Sequence, residues 1–350
     1  MKFSKKTLNN GLRIITIPMK RNPSVTCLVM VEAGSKYEVK EKNGLSHFLE
    51  HMCFKGTKRR PKAADISREL DSIGAEYNAF TGQEYTGYYA KAHPKHISKI
   101  LEVISDMYLN PIFDEQEIEK EKGVIVEEIN MYEDMPQRHV HDLWSELLYG
   151  DQPAGWNIAG PREVVKAMKR EDFVKYRGEH YVAKGTMITI AGDFAEAKIL
   201  KEMEKLFTQV SVAKKYDKKK VVERQSTPQI LVKFKETDQA HLILGVRSYP
   251  ILDKRTITLG VLNTVLSGGM SSRLFQKLRD KMGVCYYVRS ENNPYTDHGN
   301  LAVSTGVDTK RVPEVLAAIL NEFFRLKNQL VPVDELTKAK DYFIDRKSVV

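Results

Sequence analysis

The sequence predicts an α+β fold made of two related halves, each a sheet packed by helices. Three observations carry the prediction. At 350 residues the chain is long enough for two domains with separate cores. Helices alternate with antiparallel strand pairs, not with the single parallel strands of a doubly wound sheet. The order strand, strand, helix, helix, strand, strand, helix, charged helix also occurs twice, on either side of a polar, Pro-terminated linker at 212–228. The domains are therefore expected at 1–211 and 229–350.

In the first half, strands are expected at 12–18 and 24–33. Asn43-Gly44 then punctuates the chain before a short helix that Gly56-Thr57 and Pro61 close. Leu45, Phe48, Leu49, Met52 and Phe54 give that helix an apolar surface. Helix 63–73, strands 75–80 and 84–92, and helix 96–109 follow. Asp114 opens an acidic helix over 114–134, with Ile118, Val124, Ile125 and Ile129 on its apolar stripe. A closing segment adds helices at 137–149, 163–176 and 195–206 around a strand at 186–191. The second half has strands at 229–234 and 240–248, helices at 256–266 and 272–281, strands at 285–292 and 298–306, helix 312–326 and a charged helix from Val333. It has no counterpart of the closing segment.

The short helix carries chemistry. His47-Phe48-Leu49-Glu50-His51 reads H-x-x-E-H, the metalloprotease motif H-E-x-x-H reversed. Residues four apart share a helix face, so His47 and His51 can offer two imidazoles to one cation. Glu50 projects beside them, within reach of a water at that cation. Two nitrogen ligands and a nearby carboxylate are what water activation by Zn²⁺ requires. A buried helix must satisfy these polar groups somehow, and a metal does so.

A catalytic zinc needs a third protein ligand and an open fourth position. The acidic helix is the best donor. Glu117, Glu121 and Glu128 share a face, because seven residues turn about 700° and return within about 20°. Glu127 is rotated about 100° away. Either Glu127 or Glu128 is admissible as ligand. The face shared with Glu121 favours Glu128, with Glu121 supporting the site from behind.

These residues resemble a known family. His47 to Met52, followed by Phe54-Lys55-Gly56-Thr57, is similar to the zinc helix of the pitrilysin and mitochondrial-processing-peptidase family, the inverzincins. Glu121-Lys122-Gly123-Val124-Ile125-Val126-Glu127-Glu128 matches that family's paired-Glu helix, and matching stretches begin as early as Leu8-Asn9-Asn10-Gly11-Leu12-Arg13. The resemblance implies a zinc endopeptidase acting on peptides or unfolded segments. His47, His51 and Glu128 would hold one Zn²⁺, Glu50 would be the general base, and Glu121 would support the site. It also implies two α+β domains that close like a clam.

In the second half, Leu278 to Tyr286 looks like the family's distal segment, where an Arg and a Tyr seven apart face the zinc. Arg279 and Tyr286 match that spacing and would stabilise the oxyanion of the scissile carbonyl. Gly268-Gly269 resembles the glycine-rich loop of processing-peptidase partner subunits. Gly74 to Thr81 resembles the substrate strand, to whose edge an extended peptide adds by main-chain hydrogen bonds. Asn78, Ala79 and Phe80 are thus candidate substrate contacts. Family members of this type are longer. The second domain is therefore expected to be short of a strand and to expose an edge or apolar face, in a chain that is truncated or completed by a partner. A homodimer or a partner subunit fits that expectation.

Composition adds exclusions. A hydrophobic content of 42% and a charged content of 29% are globular values, and no apolar run approaches a membrane span. Met1-Lys2-Phe3-Ser4-Lys5-Lys6 is basic but no apolar stretch follows, so no secretory signal is expected. Cys27, Cys53 and Cys285 are odd in number and widely spaced, which fits free thiols in a reducing, cytoplasmic setting. Cys53, two after His51, is turned about 200° from the ligand face. The net charge of +9 invites a nucleic-acid reading. The excess nevertheless lies in clusters such as 55–60 and 214–220, without a nucleic-acid motif, and a solvated surface explains it better. A non-catalytic scaffold or partner subunit is the other rival; the intact ligand set argues against it.

Overall fold

The computed structural model describes residues 2–348. The chain forms two compact units: residues up to Met131 with Asp151–Lys219, and Tyr132–Gly150 with residues from Lys220 onward. In chain order it begins with β1 (Ser4–Thr7), β2 (Arg13–Pro18), β3 (Val25–Val31), α1 (Leu45–Met52), α2 (Ala63–Asp71), β4 (Glu76–Thr81), β5 (Thr86–Ala92), α3 (Ile97–Leu109) and α4 (Glu115–Asp134). Then come α5 (Pro136–Tyr149), α6 (Arg162–Ala167), α7 (Arg170–His180), β6 (Thr186–Gly192) and α8 (Glu196–Phe207). The region of α5, which the sequence division puts in the first half, packs with the second unit. There the Trp144 indole N–H donates to Asn300 Oδ1 at 3.3 Å.

The first unit holds a six-stranded sheet in the order β1-β2-β6-β3-β5-β4, with β2 and β6 parallel and all other pairs antiparallel. Alternation along β3 sends Val25, Cys27, Val29 and Val31 into the core. They meet the buried face of α3, where Ile100, Val103, Ile104 and Met107 lie. Strand β1 is entirely exposed and polar, so it carried no apolar signal in the sequence; the β2 edge recruits it. The helix expected at 163–176 is broken. Met168, fully buried, takes an extended backbone (φ −67°, ψ 142°), and α7 restarts where Asp172 accepts the Lys169 N–H at 2.9 Å.

The second unit continues with β7 (Ala240–Arg247), α9 (Arg255–Ser267), β8 (Cys285–Pro294), β9 (Gly299–Val307), α10 (Val312–Asn328) and α11 (Val333–Ser348). A π-helical segment, Phe275–Lys281, fills most of the helix expected at 272–281. The sheet is antiparallel, in the order β7-β9-β8, over a core that includes Leu266, Leu278, Val303, Val315 and Ile319.

This order repeats β3-β5-β4 of the first sheet. There, β6 occupies the far edge of β3, and β2 reaches the sheet only through β6. Among the described residues no strand holds that place beside β7, which leaves one β7 edge open. The strand expected at 229–234 does not form. Ile230, Val232 and Phe234 are instead 85%, 83% and 89% exposed. A counterpart of β2 has no β6-like neighbour to take its backbone hydrogen bonds, and alternation alone cannot hold a strand.

Candidate metal centre

Helix α1 divides its residues by face. Leu45, Phe48, Leu49 and Met52, spaced three and four apart, are buried, and the Phe48 ring meets Phe173 edge-on at 4.8 Å. His47, Glu50 and His51 fall on the other side. Gly44 starts the helix at φ +97°, and a Cβ there would lie 2.4 Å from the Ala159 carbonyl oxygen, so only glycine fits this turn.

Helix α4 supplies the facing carboxylates. Its buried stripe is Ile118, Glu121, Ile125 and Ile129, whereas Val124, expected on it, is 51% exposed. A carboxylate thus occupies a core-facing position, and its partners explain why. Glu121 accepts a hydrogen bond from His51 Nδ1 at 2.9 Å and from Lys55 Nζ at 2.5 Å.

The three expected ligands converge. His47 Nε2 and His51 Nε2 each lie 3.6 Å from Glu128 Oε2, and one donor atom of each residue lies within 4.8 Å of the other two. Tetrahedral zinc with bonds of about 2.0–2.1 Å separates its ligand atoms by about 3.4 Å, so the set fits that ion. Glu127 is exposed and accepts from Asn130 at 3.4 Å; the geometry brings Glu128, not Glu127, to the imidazoles.

The electrostatics agree with a cation site. Burial alone would lower the pKa of His47, but the hydrogen bond and charge of Glu128, with Glu50 and Glu38, outweigh it and raise it. Burial would raise the pKa of Glu121, yet His51 and Lys55 hold it below the ordinary carboxylate value. Glu50 is 8% exposed, and burial pushes its pKa up although Thr81 Oγ1 donates to its carboxylate and both imidazoles lie near. A carboxyl so raised sits closer to neutral pH.

Sequence reasoning missed Thr81 and Lys55. Lys55 lies in the turn just after α1, where helical spacing does not place it, and Thr81 reaches Glu50 only through the sheet. Strand β4, which ends in Thr81, is an outer strand bonded only to β5, so its other edge is open. Asn78 and Phe80 are exposed on it and Ala79 is half-buried. Asn78 Oδ1 accepts the Ala79 N–H at 2.9 Å, and Phe80 covers Gly87, its cross-strand partner.

In the second unit the Arg279 guanidinium stacks 4.9 Å from the Phe275 ring and 5.1 Å from the Tyr286 ring. Tyr286 is 78% exposed, at the bulge between Cys285 and Val288 that opens β8. The two expected residues are therefore neighbours. Gly269, in the Gly268-Gly269 pair, has φ +89°. The three cysteines are free, and no helix among the described residues is long and apolar enough to cross a membrane.

A six-stranded α+β unit with an inverted H-x-x-E-H helix facing a glutamate helix, followed by a smaller α+β unit, defines a class of two-domain proteins built around a candidate metal centre. Residues 13–162 match the family model described as insulinase (peptidase family M16), and residues 167–343 match that of the peptidase M16 inactive domain. The chain belongs to peptidase family M16. It is 37% identical over 342 residues to YmxG, an uncharacterized zinc protease of Bacillus subtilis, covering 96% of this chain and 81% of that protein. It is 33% identical to the β subunit of the mitochondrial-processing peptidase of Rattus norvegicus, covering 95% of this chain and 70% of the subunit. A crystal structure of a protease from Helicobacter pylori shares the fold, with a TM-score of 0.86 at 24% identity, over 99% of this chain and 84% of that one.

Proposed function

We propose that this protein is a zinc-dependent endopeptidase acting on peptides or unfolded segments. The observation that carries the reading is the convergence of His47, His51 and Glu128 on one point, with the buried Glu50 carboxylate on the same helix face. His47, His51 and Glu128 would hold Zn²⁺, which when bound supplies Lewis acidity to a water and to the scissile carbonyl. Glu50, oriented by Thr81, takes the proton of the attacking water and delivers it to the leaving amine. Glu121 fixes the His51 ring through Nδ1.

An extended peptide pairs with the open edge of β4, along Asn78, Ala79 and Phe80. Arg279 and Tyr286 are the pair that would stabilise the developing oxyanion, as the family resemblance implies. The chain works in the cytoplasm, as a homodimer or with a partner subunit. The match of residues 167–343 to the peptidase M16 inactive domain also supports a second reading, a non-catalytic partner in a processing-peptidase-like complex.

Zinc content and cleavage of a quenched peptide separate the two. Glu50→Gln should keep zinc and lose about 10³-fold in turnover, within the range for general acid–base groups. His51→Ala should lose both. Wild-type turnover in Glu50→Gln would refute the base assignment, and a wild-type protein without zinc or turnover would favour the partner reading.

A further inference from the structure

The zinc helix begins without a cap of its own. Its N-cap residue is Gly44, which has no side chain, yet the orphan N–H groups of this first turn are buried. They are satisfied from outside the helix. Glu38 Oε2 accepts the Gly44 N–H at 2.8 Å and Glu38 Oε1 accepts the Ser46 N–H at 2.6 Å; Asn43 Nδ2 donates to Oε2 at 3.0 Å. Glu38 is itself buried, so the carboxylate has exchanged water for these donors.

The segment that carries Glu38 is tied to the β4–β5 turn. Ser35 N–H donates to the Gly82 carbonyl at 3.3 Å and Lys36 N–H to the Gln83 carbonyl at 2.9 Å. A Cβ on Gly34 would lie 2.3 Å from the Gly82 oxygen, so the two backbones touch. The turn follows directly on Thr81, whose hydroxyl holds Glu50. From the other side, Tyr176 Oη lies 2.7 Å from Ser46 Oγ and donates to the Gly34 carbonyl at 3.3 Å. One buried carboxylate thus joins the first turn of α1, which bears His47, to the turn next to Thr81.

We propose that Glu38 is a positioning residue that sets the seating of α1, and through it the zinc affinity of the His47–His51–Glu128 site. The assignment rests on the endopeptidase reading for its catalytic consequence but not for its metal-binding one. A carboxylate at a helix N-terminus completes the orphan donors and complements the positive end of the helix dipole. In Glu38→Gln the shape is kept, but the amide NH₂ must face the Gly44 or the Ser46 N–H, donor against donor. The first turn must then tilt or fray, and His47 moves with it.

The test compares zinc dissociation constants, measured by competition with a chromophoric chelator, for wild type, Glu38→Gln and Tyr108→Phe. Tyr108 bonds Thr186 in the core of the same unit and serves as a comparator for general destabilisation. Glu38→Gln should bind zinc about 10-fold more weakly, as partners behind a metal site typically do. Its kcat should fall with little change in KM. Tyr108→Phe should lower Tm and leave zinc affinity unchanged. Equal zinc affinity in Glu38→Gln and wild type overturns the proposal, as does an equal loss in Tyr108→Phe. Should Glu38→Gln fail to fold, Asn43→Ala removes one donor and should weaken zinc about 3-fold, a fraction of that effect; no change there overturns the proposal as well. Wild-type protein that binds zinc but cuts no peptide defeats the endopeptidase reading alone, because the affinities still decide on Glu38. Wild-type protein that binds no zinc defeats both.

Discussion

Glu121 is the residue of α4 that bonds the His51 ring, and removing its charge has a calculable effect on the proposed metal centre. Its carboxylate accepts from His51 Nδ1 at 2.9 Å and from Lys55 Nζ at 2.5 Å while nearly fully buried. A charge-assisted bond is roughly twice as strong as a neutral one, so Glu121→Gln should cost the His51 contact about 1–1.5 kcal/mol. That corresponds to about 10-fold weaker zinc binding. Glu121→Ala removes the contact altogether and should approach about 100-fold. Glu117→Ala is the control, on the same helix face but paired only with Lys120 in a surface i,i+3 bridge; it should stay within about 2-fold. Chelator competition at fixed pH reads all three. If Glu121→Ala binds zinc as tightly as wild type, the idea that Glu121 orients His51 is wrong.

Two further outcomes are expected. Arg60 is buried and donates to Asp106 at 2.7 Å, Glu69 at 2.7 Å and Glu102 at 3.1 Å, anchoring the chain just after α1. Arg60→Met leaves the buried Asp106 with only the neutral donors Thr57 and Asn110 and no counter-charge, and should destabilise the protein by about 3–5 kcal/mol in chemical denaturation; a loss below about 1 kcal/mol would contradict the network's role. Thr81→Val removes the hydroxyl that holds Glu50 and should lower kcat about 10-fold, one lost hydrogen bond, with zinc content unchanged. An unaltered kcat would mean that Glu50 needs no such support.

What was legible in the sequence was local. The proposed ligands His47 and His51 share a helix face, and Glu121 and Glu128 share another, because 3.6-residue periodicity is written into the spacing. The strand pairs and most helices follow from the same patterns. What depended on distant neighbours was not legible. Val124 is more apolar than Glu121, yet Glu121 takes the buried stripe, since His51 and Lys55 meet it there and no hydropathy scale records them. Segment 229–234 has the residues of a strand but no neighbour to pair with. Helix α5 belongs with the second unit because it packs on β7, a sheet more than ninety residues further along the chain.

The two units solve one problem differently. Each ends its repeat with a charged helix that must be docked, α4 in the first and α11 in the second. In the first, Glu121 and Glu128 of α4 face the imidazoles of His47 and His51, and the proposed cation would complete the contact. In the second, Glu335 of α11 meets Arg273 through bonds of 2.8 and 2.6 Å, and Glu322 of α10 lies 3.8 Å from the same guanidinium. Arginine brings a permanent charge and a planar fork that matches a carboxylate, so no metal is needed. A charged helix is common to both units, and what faces its carboxylates differs: imidazoles in the first, a guanidinium in the second. On the proposed reading the imidazole pair can take up zinc, whereas the Arg273 guanidinium already balances Glu335 and makes a structural contact.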